Sequence, residues 1–128
     1  MEAEQFNMRR ADFLKSLNFL IKQSEKDSID DENIAATLHF YEMTFELSWK
    51  LIKDYLEIQG FLVKSPREAI NKAFQMGYIN DDVLWLEMLD VRNNIILTYE
   101  ERTARILFSK IKYPLKISFC FWCRVVRA

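Results

Sequence analysis

Apolar residues recur every three or four positions along most of this chain, the period of a helix with one buried face. Phe6, Phe13, Leu17, Leu20 and Ile21 lie near one stripe and predict a first helix from about Glu2 to Ser24. The polar, Asp-rich run from Glu25 to Glu32 predicts a loop, with Asp30 or Asp31 able to cap the next helix. A second helix, from about Glu32 to Gln59, carries two stripes. Ile34, Leu38, Tyr41, Phe45, Ile52 and Tyr55 make one, and Phe40, Met43, Leu47 and Leu51 run beside it. A helix apolar on two sides needs cover on two sides, so it is either central in a bundle or part of a dimer seam. Gly60 follows as a left-handed C-terminal cap.

Ser65, Pro66 and Glu68 together start a short third helix: a cap, a first-turn proline and a capping-box acid. Ala69, Ile70, Ala73 and Phe74 are expected to face inward, and Gly77 ends the helix. A fourth helix opens at Asn80, with Asp81 and Asp82 at its positive end. Its inner stripe is Leu84, Trp85, Met88, Leu89, Arg92, Ile95 and Ile96. Thr98 with Glu101 reads as a second capping box and starts a fifth helix, which carries Ala104, Leu107, Phe108 and Ile111 until Pro114 kinks or restarts it. The stretch from Ile117 to Val126 is β-prone and has Arg124 as its one charge. Three readings stay open for it: a helix on the bundle, part of a dimer interface, or a frameshifted end.

With two glycines and two prolines, the chain has too few turn formers for a β-sandwich, which needs a turn about every 8–12 residues. The expected fold is therefore all-α, a single antiparallel helical bundle of about five helices over residues 1–128. Half the residues are apolar, an ordinary globular balance, and the length suffices for a core without metal or disulfides. Met1 is followed by Glu2 and Glu4 rather than by a basic and then apolar leader, and no run approaches the ~18 apolar residues of a membrane span. A cytoplasmic protein is expected, with Cys120 and Cys123 as reduced thiols. Their spacing suits zinc, but the single histidine, His39, lies far off and two further ligands are needed. No metal or cofactor is expected. The net charge of −1 hides an asymmetry: residues 1–101 hold all 19 acids and 11 bases, while residues 102–128 hold seven bases and no acid. A basic end on an acidic body suits either nucleic acid or docking onto its own body or a partner, and the wide spacing of the bases favours docking.

Arg92 is the most informative single residue. It interrupts an apolar stripe between Met88 and Ile96, and burying an arginine costs several kcal/mol unless it is paired. Glu42 and Glu46 are candidate carboxylates for a salt bridge; the alternative is an anion or phosphate site built on the guanidinium fork. Glu42, Glu46 and Lys50 share one helix face at four-residue spacing, in the order that favours an ion pair from Glu46 to Lys50. His39 has no Ser or Cys nucleophile at helical spacing, and no Gly-rich phosphate loop occurs.

An ordered set of residues resembles a known family. It runs Tyr41-Glu42-Met43-Thr44-Phe45-Glu46-Leu47-Ser48-Trp49-Lys50, then Ser65-Pro66-Arg67, Ala73-Phe74 and Gly77, then Trp85, Met88-Leu89, Arg92-Asn93 and Thr98-Tyr99. In order and spacing these resemble the nucleotidyltransferase substrate-binding family, within the HEPN group of helical domains, over about residues 6–115. The resemblance implies a bundle that dimerises. It also implies a partner, a minimal nucleotidyltransferase usually encoded beside it, often in a toxin–antitoxin-like pair. In active HEPN ribonucleases an arginine followed after four to six residues by a histidine cuts RNA. Here Arg92 and Asn93 match the start of that motif, but Leu97 stands where the family commonly has histidine, and leucine cannot exchange a proton. Tyr99 matches a tyrosine that such partners modify with AMP in some members. The resulting expectation is a non-catalytic binding subunit with no catalytic residue of its own. Its site would comprise Arg92, Asn93, Tyr99, Glu42, Glu46 and Lys50, with Tyr99 as AMP acceptor and a nucleotide or RNA as ligand. The rival readings are an HEPN ribonuclease toxin and a structural dimer without ligand, the latter expected to show a fully paired Arg92 and no adjoining cavity.

Overall fold

The computed structural model describes residues 3–27, 30–96, 101–112 and 116–127. Six helices follow one another: α1 (Ala3–Ser24), α2 (Asp31–Ile58), α3 (Pro66–Gln75), α4 (Asp82–Ile96), α5 (Glu101–Lys110) and α6 (Lys116–Arg127). No strand occurs among the described residues.

Helices α1 and α2 run antiparallel, as three cross-links of opposite order along the two helices demonstrate. Arg9 pairs with Asp54, Ser16 and Thr44 share a hydroxyl hydrogen bond of 2.7 Å, and the Gln23 amide donates to Asn33 Oδ1 at 2.7 Å. Ser16 and Thr44 lie buried between the helices, and Thr44 also donates back to the Phe40 carbonyl at 2.6 Å. Their mutual contact removes the penalty that each hydroxyl would incur if buried alone.

Capping sets the boundaries. The Asp30 side chain accepts from the Asn33 amide at 2.8 Å and starts α2. Gly60 ends it with φ of 92°, while the Phe61 amide reaches back to the Leu56 carbonyl at 2.8 Å. Ser65 caps α3 by accepting from the Glu68 amide at 3.2 Å; the Glu68 carboxylate answers the Lys64 amide, one residue before the position a capping box specifies. Asp81, not Asn80, caps α4: its carboxylate accepts from the Leu84 amide at 3.0 Å. The capping box expected at Thr98 and Glu101 lies outside the described residues.

Helix α2 is central, packed by α1, α3, α4 and α5. The remaining opening is closed by α6. Phe119, Trp122, Cys123 and Val126 are buried along one of its faces. Phe119 meets Phe13, Tyr41 and Trp85, and Trp122 meets Tyr55 and Tyr78. Of the readings open for this tail, the structure selects a helix on the bundle. The basic α5 is tied to acids of the body, Arg105 to Asp31 at 3.6 Å and Lys110 to Glu87 at 3.9 Å. Its charge thus docks partly onto its own chain, although such exposed pairs are worth at most about 1 kcal/mol each.

One inward assignment fails: Phe74 of α3 is 43% exposed. Phe74 lies near the end of a short helix, next to the buried Ala73. Met43 of α2 is 42% exposed. Met43 belongs to the second stripe of α2, which stays partly open.

Candidate functional site

The site is set where α4 crosses α2. Tyr41 of α2 is buried, and its hydroxyl donates to the Met88 carbonyl of α4 at 2.7 Å. Burial pushes the Tyr41 pKa well up, Glu87 adds to the rise, and Arg92 opposes it. The neutral phenol is therefore a fixed donor that pins the register of the two helices. One turn beyond Met88, the Arg92 guanidinium comes within 2.9 Å of Glu46 Oε2. The other oxygen of Glu46 faces Lys50 Nζ at 3.3 Å, one turn along α2. A single carboxylate thus bridges two cations. The Arg92 guanidinium also lies 5.6 Å from the centre of the Phe45 ring, a cation–π contact. The Arg92 Nε–H is buried with no hydrogen-bond partner.

Beside this network runs a groove of about 420 Å³, lined by Glu42, Met43, Glu46, Leu47 and Arg92. Its size falls in the range of roughly 300–1,000 Å³ usual for small-molecule sites. Glu42 has no hydrogen-bond or ion-pair partner among the described residues.

Arg92 is thus paired with Glu46, one of the two carboxylates expected for it, and it also borders a cavity. Glu42, Glu46 and Arg92 come together around the groove, with Lys50 behind Glu46. Asn93, next along α4, is exposed and stands apart from the groove lining. Tyr99 and Leu97 lie outside the described residues. Met43 and Leu47, expected as a packing stripe, are groove walls instead, and Phe45, expected only as core, also supports Arg92. The second apolar stripe of α2 is the available signal for the walls: a stripe left without a covering helix becomes the side of a cleft. His39 is exposed beside Phe40 on α2. Cys123 is buried, and among the described residues no group of three His, Cys, Asp or Glu is placed to hold a metal. No helix among them is long and apolar enough to cross a membrane.

The family model described as nucleotidyltransferase substrate binding protein like matches residues 6–120. A solved protein from Thermus thermophilus is 27% identical, with a TM-score of 0.83 over 91% of this chain and 99% of that one. A Haemophilus influenzae protein, HI0074, has the same fold at 21% identity, with a TM-score of 0.74 over 96% of this chain and 99% of its own. That protein is described as revealing the fold of a substrate binding domain of a nucleotidyltransferase. A curated Haemophilus influenzae relative named probable ribonuclease HepT is 25% identical over 88 residues, 65% of this chain. The match spans 60% of that relative's length.

Proposed function

The chain belongs to the nucleotidyltransferase substrate binding protein-like family, and from that premise we propose that it is a non-catalytic binding subunit, a homodimer that pairs with a minimal nucleotidyltransferase. The partner supplies the nucleotidyl transfer, and this chain presents the acceptor or nucleotide in a groove built on Arg92, Glu42 and Glu46, in a cytoplasmic, toxin–antitoxin-like module. The observation that carries the reading is the Arg92–Glu46–Lys50 network at the side of the 420 Å³ groove. A structural dimer without ligand would be expected to have no cavity adjoining Arg92, whereas Arg92 lines the groove. Tyr99 is the proposed acceptor of AMP, on the strength of the family resemblance, and Asn93 a proposed further contact outside the groove lining.

The test is to co-express the chain with the nucleotidyltransferase encoded beside it and to incubate the complex with ATP and magnesium. Mass spectrometry is expected to find AMP on Tyr99, lost in Tyr99→Phe. A complex that forms but leaves no adduct removes Tyr99 from the site.

The relative named probable ribonuclease HepT supports a second reading, RNA cleavage. Leu97 argues against it, because the proton-exchanging group at that position is missing. The native chain is expected to leave tRNA and mRNA intact. Cleavage by the native chain that disappears in Arg92→Ala would establish the ribonuclease reading in place of the first.

A further inference from the structure

The groove's charge balance is wrong for a phosphate. Arg92 and Lys50 both direct their charge at Glu46, at 2.9 and 3.3 Å, and Glu42 adds a second carboxylate. Two cations against two anions leave no surplus to neutralise a phosphate, whose recognition rests on excess cation or bidentate guanidinium contacts. The remaining features suit a different part of a nucleotide. The walls are the apolar side chains of Met43 and Leu47. The Arg92 guanidinium rests against Phe45 at 5.6 Å and also borders the groove, and guanidinium planes serve as stacking platforms for nucleobases. Glu42 offers an unpartnered carboxylate, which can only accept, so it selects a ligand edge rich in N–H donors.

We propose that the groove between α2 and α4 holds a nucleobase bearing an exocyclic amine, with Glu42 reading the amine edge and Arg92, Met43 and Leu47 flanking the ring. Guanine fits best, because its N1–H and N2–H together match the two oxygens of one carboxylate. Cytosine and adenine each offer a single amine there, and uracil offers none. Sugar and phosphates run outward, toward the partner's transfer chemistry. The inference rests on the substrate-binding reading above and adds which end of the nucleotide this chain takes.

The experiment titrates the full chain, alone and in complex with its nucleotidyltransferase, with guanosine, cytidine, adenosine, uridine, ribose 5-phosphate and inorganic phosphate, read by calorimetry. Guanosine is expected to bind most tightly and uridine at least about tenfold more weakly, the discrimination of one good carboxylate–base contact. Ribose 5-phosphate and phosphate are expected to give no heat of binding. Glu42 is only partly buried, so Glu42→Ala is expected to fold normally by circular dichroism while losing the preference for guanosine over uridine. Equal binding of uridine, binding of phosphate alone, a Glu42→Ala variant with the native preference, or no nucleoside binding in either form would each overturn the proposal. If any of these occurs while the complex forms and transfers its nucleotidyl group, the base assignment falls and the subunit reading stands. If the complex does not form, the subunit reading falls by itself.

Discussion

Arg92 and Asp54 are both charges set into apolar helix stripes, and both find their partner on a neighbouring helix. Their surroundings differ. Arg92 borders an open groove, whereas Asp54 is buried, with Arg9 as its countercharge from α1. Burial raises the Asp54 pKa, and the Arg9 charge and hydrogen bond pull it down less strongly. A carboxyl whose folded pKa is raised contributes most below its unfolded pKa, and that contribution is lost as pH rises through the folded value. Arg9→Ala removes the opposing charge and leaves a buried carboxylate unanswered, at a cost of about 3 kcal/mol near neutral pH. Urea unfolding is expected to show that gap narrowing as pH falls through the raised folded pKa of Asp54, where the buried carboxyl takes up its proton. A gap independent of pH would mean that Arg9 acts through packing alone. Arg92 is legible in the sequence because it breaks a stripe. Asp54 continues the second stripe of α2, after Leu47 and Leu51 and before Ile58, so the same signal is present there and its partner in α1 is not. Spacing identifies a misplaced charge within one helix; which helix answers it depends on packing that spacing does not encode.

At the scale of elements, caps and interior aromatics hold the helices to very different degrees. Ser65→Ala removes one capping acceptor and is expected to cost about 1 kcal/mol. Trp122→Ala empties a fully buried site that joins α6 to Tyr55 and Tyr78 and is expected to cost about 3–5 kcal/mol. Thermal unfolding of both variants checks the order, and a Trp122→Ala shift no larger than that of Ser65→Ala would detach α6 from the core. The first four helices are legible from stripes and caps, to within a residue or two. The sixth is obscured by composition: Ile, Phe, Trp and Val favour strands, yet burial against α1 and α2 overrides so weak a preference. Its buried positions, Phe119, Trp122, Cys123 and Val126, nevertheless have helical spacing. Local propensity misleads there because the tail's structure is set by what it covers.

Across the whole molecule, an apolar strip among the described residues stays partly open where α1 meets the second stripe of α2. Phe19 stacks on Phe40 at 5.6 Å, with Met43 and Leu47 further along the second stripe of α2. We propose the Phe19–Phe40 end of this strip as the seam of the homodimer. Light scattering at micromolar concentration is expected to give twice the 15.4 kDa chain mass, and a monomer throughout a hundredfold dilution series would refute the seam. The groove adjoins the same strip through Met43 and Leu47, so dimerisation and binding share a border. The partner itself is legible only through the resemblance of ordered motifs, since no single residue of this chain specifies a nucleotidyltransferase. The central claim is that this chain is one half of such a pair and that Arg92 is part of what the pair shares. The most direct measurement is a calorimetric titration of a minimal nucleotidyltransferase from the same genome into the native chain and into Arg92→Ala, each checked for intact helicity. The account predicts saturable binding to the native chain and binding about tenfold weaker or worse to the variant, the loss expected for one charge-assisted contact. Absence of binding to the native chain would contradict it.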